Sequence, residues 1–172
     1  MPGGIRPSGV PGEVRVSTSP VARISSVSTW PALTKRNAPV AGCKSTSAAV
    51  TSLAIDPVTQ ATVYAGNGFG GVQKTTNGGT AWTVRNTGLP FPSSSEFILA
   101  LTIDPLIPSR VYAGSGTTAG GGRIFRTTNG GGTWTEVFSA GAAITGLAVD
   151  PRTPTTVYAA TFGTGVFKST NG

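Results

Sequence analysis

Six carboxylates are all the acidic chemistry this 172-residue chain holds: Glu13, Asp56, Glu96, Asp104, Glu136 and Asp150. Hydrolytic acid–base work needs two such groups facing each other across a scissile bond. Asp56, Asp104 and Asp150 each precede a proline at the same point of a repeated phrase, which makes them turn residues. Glu136 lies in T-W-T-E-V-F, where alternation turns it to solvent. Glu96, in the loop G-L-P-F-P-S-S-S-E-F, reads as a lone solvated carboxylate. No pair results. The chain has no histidine, so it has no Ser–His–Asp arrangement and lacks the commonest metal ligand. Cys43 is the only cysteine and can close no internal disulfide. The runs G-N-G-F-G-G and G-S-G-T-T-A-G-G-G each join two strand-like runs and open no helix, so they are not phosphate loops. The phrase N-G-G-x-x-W lacks the acidic ligands of a calcium loop. The reading is no catalytic residue, no metal and no cofactor in this chain.

The elements that would carry any site come in copies. V-T-S-L-A-I-D-P-V-T-Q-A-T-V-Y-A-G runs from Val50 to Gly66. I-L-A-L-T-I-D-P-L-I-P-S-R-V-Y-A-G runs from Ile98 to Gly114, and I-T-G-L-A-V-D-P-R-T-P-T-T-V-Y-A-A from Ile144 to Ala160. A glycine-rich turn follows each, then G-V-Q-K-T-T-N-G-G, R-I-F-R-T-T-N-G-G or G-V-F-K-S-T-N-G. Each unit breaks into four strand-like runs rich in Val, Ile, Thr and aromatics, bounded by Gly, Pro and Asn. In the first unit these are 50–55, 62–65, 71–75 and 81–85. Four short strands per unit of roughly 50 residues predict all-β architecture: β-propeller blades of four antiparallel strands. The blades fall at about 49–90, 97–138 and 143–172. About three blades leave the ring incomplete.

The T-N-G phrase reads as a hairpin clamp. Thr75, Thr127 and Ser169 begin the turn, and Asn77, Asn129 and Asn171 occupy its tip, where a side-chain oxygen can accept from backbone N–H groups. Gly79 and Gly131 supply positive φ. Trp82 and Trp134 follow, where a large ring can wedge against the next blade. T-T-N-G-G-x-x-W resembles the Asp-box of BNR-type propellers, with Asn in place of Asp. With I/V-D-P, V-Y-A-G and G-V-F-K-S-T ahead of it, the pattern over 49–172 looks like the repeats of sortilin-like, xyloglucanase-like and sialidase-like propellers and of photosystem assembly factors. The resemblance implies a bacterial-type repeat protein for which secretion or a place in the cell envelope is plausible, although no signal peptide is visible. It also invites a search for the arginine cluster and nucleophilic tyrosine of sialidases. Tyr64, Tyr112 and Tyr158 share one repeat position and read as core. Arg110, Arg123, Arg126 and Arg152 are scattered over turns and strand edges.

The net charge of +7 is uneven. Residues 1–48 hold six basic side chains against Glu13 alone, whereas 49–172 hold seven basic and five acidic. The first segment reads as a basic, Ser/Pro/Gly-rich, disordered leader. It has no aromatic interleaving and no nucleic-acid motif, so nucleic acid is not expected as a partner. No apolar run is long enough for a membrane span. Three routes could complete the ring: a longer gene product of which this is a fragment, self-assembly of several copies, or closure by the leader around Trp30. Two functions follow. One is a non-catalytic module that binds a protein or glycan through its loop face. The other is a fragment of a glycoside hydrolase whose catalytic residues lie outside this chain. Insertions cluster on one face: the loop from Ala113 to Ile124 is four residues longer than its counterparts, and the link before the second unit is longer than that before the third. This points to Phe91, Ser94, Glu96, Thr117 and Thr118 as the binding face.

Overall fold

A computed structural model describes residues 49–68, 71–91 and 95–172. The leader, Trp30, Cys43 and Ser94 lie outside the described residues. Eleven strands form three antiparallel sheets: β1 (Val50–Ile55), β2 (Val63–Asn67), β3 (Gly71–Thr75) and β4 (Thr83–Val84); β5 (Phe97–Ile103), β6 (Val111–Gly116), β7 (Arg123–Thr127) and β8 (Thr135–Ser139); and β9 (Ile144–Val149), β10 (Val157–Thr161) and β11 (Gly165–Ser169). Each sheet is a meander in chain order, and the described residues contain no helix. The all-β, four-strand reading of the repeat therefore holds, with an open ring. The fourth run of the first unit, expected over 81–85, shrinks to Thr83–Val84. Asn77 Oδ1 accepts from Ala81 N at 2.9 Å, which keeps that residue in the turn and sets where the strand starts.

The three D-P turns are built alike. Asp56 Oδ1 accepts from Val58 N and Thr59 N, Asp104 Oδ1 from Leu106 N and Ile107 N, and Asp150 Oδ1 from Arg152 N and Thr153 N, all within 2.8–3.1 Å. The carboxylate replaces the backbone acceptor that the tight turn lacks, which is why each copy needs it. Each sheet also carries an irregularity within the first three residues of its first strand, at Thr51, Leu99 and Thr145. Such a bulge sharpens the twist of the strand.

The core lies in the seams between sheets. β1, β5 and β9 run beside one another. Tyr64, Val72, Leu89, Phe91, Ile98 and Trp134 fill the first seam, and Tyr112, Ile124, Ile144, Val157 and Ala159 the second. The sheets approach closely at two glycines. A Cβ on Gly66 would lie 2.6 Å from Ile98 Cγ2, and one on Gly114 would lie 2.5 Å from Ile144 Cγ2. The third copy has Ala160 at this position. Its outward face is bare: Tyr158 is 38% exposed against 1% for Tyr64 and Tyr112, and Val166 is 70% exposed against 0% for Val72. Tyr158, expected in the core with its two equivalents, is exposed because no sheet among the described residues covers that face.

Gly114→Ala is expected to cost about 1–3 kcal/mol by overpacking against Ile144, whereas Ala160→Gly costs no more than about 1 kcal/mol of backbone entropy. Urea denaturation of the two variants checks this. Combining Gly114→Ala with Ile144→Ala should recover part of the loss expected from adding the two single changes.

Candidate functional site

The turn that ends each third strand is a small hydrogen-bonded device. Thr75 Oγ1 donates to Asn77 Oδ1 at 2.9 Å and accepts from Gly79 N at 3.0 Å. With its single proton committed to Asn77, the hydroxyl is left as an acceptor for the backbone. The second copy repeats this: Thr127 Oγ1 donates to Asn129 Oδ1 at 2.8 Å and accepts from Gly131 N at 3.0 Å, and Asn129 Oδ1 accepts from Thr133 N at 2.9 Å. In the third, Ser169 Oγ donates to Asn171 Oδ1 at 2.9 Å. Gly79 and Gly131 have φ of 88° and 85°, values that L side chains rarely adopt. The turn is pinned to the D-P end of its sheet, because Gly78 N, Gly130 N and Gly172 N donate to Ala61 O, Ser109 O and Thr155 O.

Trp134 crosses the first seam. It is 4% exposed, its indole Nε1 donates to Arg85 O at 2.8 Å, and its backbone N donates to Thr87 O at 2.8 Å. Trp82 is only half-buried, and its Nε1 has no acceptor. A second cross-blade contact comes from a position that sequence reasoning passed over. Lys74 lies over the Tyr64 ring and donates Nζ to Gly130 O of the next blade at 3.0 Å. Arg126 makes the equivalent bond to Gly172 O. Lys168, the third equivalent, lies over the exposed Tyr158 ring. The signal was present in the repeated basic residue before T-T-N, S-T-N and their variant, but its partner sits in another copy.

The loop end of the sheets differs from the sequence-based picture. Phe91 is 7% exposed and packs in the first seam; Glu96 is 8% exposed and faces Arg123. Neither presents its side chain to solvent, which corrects their assignment to an open binding face. Apolar burial claims Phe91, and an ion pair claims Glu96. Arg123 Nε donates to Glu96 Oε1 at 2.9 Å, its Nη2 closes on the same oxygen, and Nη1 reaches Glu136 Oε2 at 3.2 Å. The hydrogen bond that Arg123 donates to Glu96 holds the Arg123 pKa above its ordinary value, against the opposing effect of burial. One guanidinium thus bridges two carboxylates. Its sequence signal was an arginine where the other copies have Gly71 and Gly165. Thr118 is exposed and Thr117 half-buried, in a loop closed on itself by Thr117 N to Gly121 O at 3.1 Å and tied to the following link by Gly121 N to Gly141 O at 3.1 Å.

Among the described residues no cluster of His, Cys, Asp and Glu could hold a metal ion, and no helix is long and apolar enough to cross a membrane. A cleft of about 720 Å³ lies in the second seam, bounded by Tyr112, Ile124, Arg126, Phe138, Phe167 and Lys168.

Stacked four-stranded meanders joined through their first strands define a run of β-propeller blades. No family model matches the chain, and no curated protein matches it. Solved structures do. A GH74 xyloglucanase from Xanthomonas campestris superposes with a TM-score of 0.61 at 21% identity, over 78% of this chain and 22% of that one. An ancestral GH74 enzyme gives 0.58 at 23% identity, over 71% and 17%. YCF48 bound to D1 peptide gives 0.55 at 12% identity, over 72% and 38%. The chain spans about a fifth of the length of the GH74 enzymes it matches. At these identities the likeness shows the fold: this is an open set of β-propeller blades.

Trp134→Ala is expected to cost about 3–5 kcal/mol. Trp82→Ala should cost clearly less, since that indole is half-buried and makes no Nε1 hydrogen bond. Thermal melts of both variants check the order.

Proposed function

We propose that residues 49–172 are a non-catalytic stretch of Asp-box-type propeller that binds a protein partner, and that residues 1–48 form a separate basic leader. One observation carries the first half of this reading: every carboxylate among the described residues is engaged in holding structure. Asp56, Asp104 and Asp150 each accept two backbone N–H groups, and Glu96 and Glu136 both pair with Arg123. A general acid or base must exchange a proton with substrate, and each of these groups already has at least one oxygen committed to a turn or to Arg123, while Glu96 Oε2 is buried without a hydrogen-bond partner. The Thr–Asn hydrogen bonds support the Asp-box assignment, because a neutral amide oxygen performs the turn-forming role of the missing carboxylate. A protein ligand is supported by the peptide complex of YCF48, which shares the fold. The partner contacts the loop end through Ser95, Thr117 and Thr118, with Ser94 beside them in sequence.

Glycan binding and a share in glycoside hydrolysis are the competing readings. Ring completion by further copies is disfavoured by Ala160: its Cβ stands where Gly66 and Gly114 leave room for the next blade's β-branched residue. Purified chain incubated with xyloglucan and aryl glycosides is expected to release no reducing sugar. Turnover lost in Glu96→Gln would overturn the non-catalytic reading. Amide chemical-shift changes at Ser95–Glu96 and Thr117–Gly121 on addition of xyloglucan oligosaccharide would replace the protein ligand by a glycan.

A further inference from the structure

Asn-Gly occurs at residues 67–68, 77–78, 129–130 and 171–172. The pair carries a chemistry of its own. Glycine has no Cβ to hinder its nitrogen, so that nitrogen can attack the side-chain amide carbon of the asparagine before it. A bond forms from Gly N to Asn Cγ and the Cγ–Nδ2 bond breaks. Nδ2 leaves as ammonia, with the proton that the glycine nitrogen gives up. Water then opens the cyclic imide. Attack at the side-chain carbonyl yields aspartate, and attack at the main-chain carbonyl yields isoaspartate. Closure needs the nitrogen and carbon about 3–3.5 Å apart and aligned, so a fold can permit it or withhold it.

The first two copies form a matched pair for this chemistry. Both read T-T-N-G-G, from Thr75 and from Thr127, so an unfolded chain treats them alike. In the fold both glycine nitrogens are held: Gly78 N donates to Ala61 O at 2.9 Å and Gly130 N to Ser109 O at 2.8 Å. Both amide oxygens are held as well. Asn77 Oδ1 accepts from Thr75 Oγ1 and Ala81 N, and Asn129 Oδ1 from Thr127 Oγ1 and Thr133 N. Asn77 and Asn129 are both exposed, so access of water does not separate them. The amide nitrogens do. Asn129 Nδ2 donates to Thr133 Oγ1 at 3.0 Å, which fixes both ends of its amide plane. The first copy has Ala81 at that place, with no hydroxyl to accept. Asn77 is held by its oxygen alone, and its amide can turn towards Gly78 N when the tip opens locally.

We propose that Asn77 is a self-modifying site. In the folded chain it deamidates ahead of Asn129, and the residue at position 81 sets the rate. An aspartate at position 77 keeps the turn, because both bonds to the side chain run into Oδ1, an acceptor in either form. The first copy then matches the Asp-box that its sequence resembles. Isoaspartate instead adds a main-chain carbon at the tip and draws Gly79 N away from Thr75 Oγ1. Asn67 serves as an internal control: it is 2% exposed at the end of β2, and Gly68 N donates to Ala49 O at 3.0 Å.

The experiment incubates the full chain at mildly alkaline pH and body temperature and maps it with trypsin. Cuts after Lys74 and Arg126 place the two asparagines in separate peptides that begin at Thr75 and Thr127. Mass spectrometry reads the conversion of amide to acid in each. Asn77 is expected to convert about fivefold faster than Asn129, the factor that one net hydrogen bond supplies, and Asn67 is expected to stay intact. In concentrated urea the rates of Asn77 and Asn129 should coincide. Ala81→Thr should slow Asn77 towards the rate of Asn129, and Thr133→Ala should speed Asn129 towards that of Asn77. Both positions are exposed, so neither change disturbs the core. Asn77→Asp should melt no lower than the native chain. Conversion of Asn129 as fast as Asn77 in the folded chain would overturn the proposal, as would rates that the changes at 81 and 133 leave unmoved. So would Asn77 intact in the folded chain but converted in urea, or a preference for Asn77 that persists unchanged in urea and therefore owes nothing to the turn. A clear loss of melting temperature in Asn77→Asp would contradict an aspartate that preserves the clamp.

Discussion

Everything in this structure depends on how closely one twisted sheet can lie on the next. The approach is set at Gly66 and Gly114, where Ile98 and Ile144 fill the space a Cβ would take. Once two backbones are that near, the tyrosine beside each glycine is sealed, the lysine or arginine across from it reaches the next turn, and Trp134 spans the remaining gap. Hydrophobic burial between sheets is the main stabilising contribution. Charge plays a smaller part, as ion pairs of Arg110 and Arg123 and as bonds from Lys74 and Arg126 to turn carbonyls.

The hairpin turns serve that stacking. A turn whose position varied would not present its carbonyl to Lys74 or Arg126. Thr75–Asn77 and Thr127–Asn129 fix it with side-chain oxygens, and the Gly N–H bonds tie it to the neighbouring D-P turn. One end of each sheet is therefore rigid by construction. The other end is free to vary, and there the long loop at Thr117–Gly121 and the Glu96–Arg123–Glu136 ion pairs are found.

Much of this was legible in the sequence because the copies annotate one another. The D-P turns, the V-Y-A strands and the T-N-G tips recur in register, and side-chain hydrogen bonds within four residues explain the two kinds of turn. What could not be read was contact between copies. Nothing in K-T-T-N tells that Lys74 donates to Gly130, and nothing in a serine-rich loop tells that Glu96 turns inward to Arg123. Phe91 and Glu96 were placed at the surface because loops usually are, yet the seam drew one in and a guanidinium the other. Ala160 was visible as a departure from V-Y-A-G, but its meaning required Ile98 and Ile144 to be seen against the other two glycines.

Native-state hydrogen exchange tests this account most directly, since protection follows local stability. The middle sheet, covered on both faces, should hold the slowest amides, centred on β6 and β7. The amides of β9–β11, whose outward face is bare, should exchange faster by a clear margin. Equal protection of β6 and β10, or slower exchange in the third sheet than in the second, would contradict a fold held together at its seams.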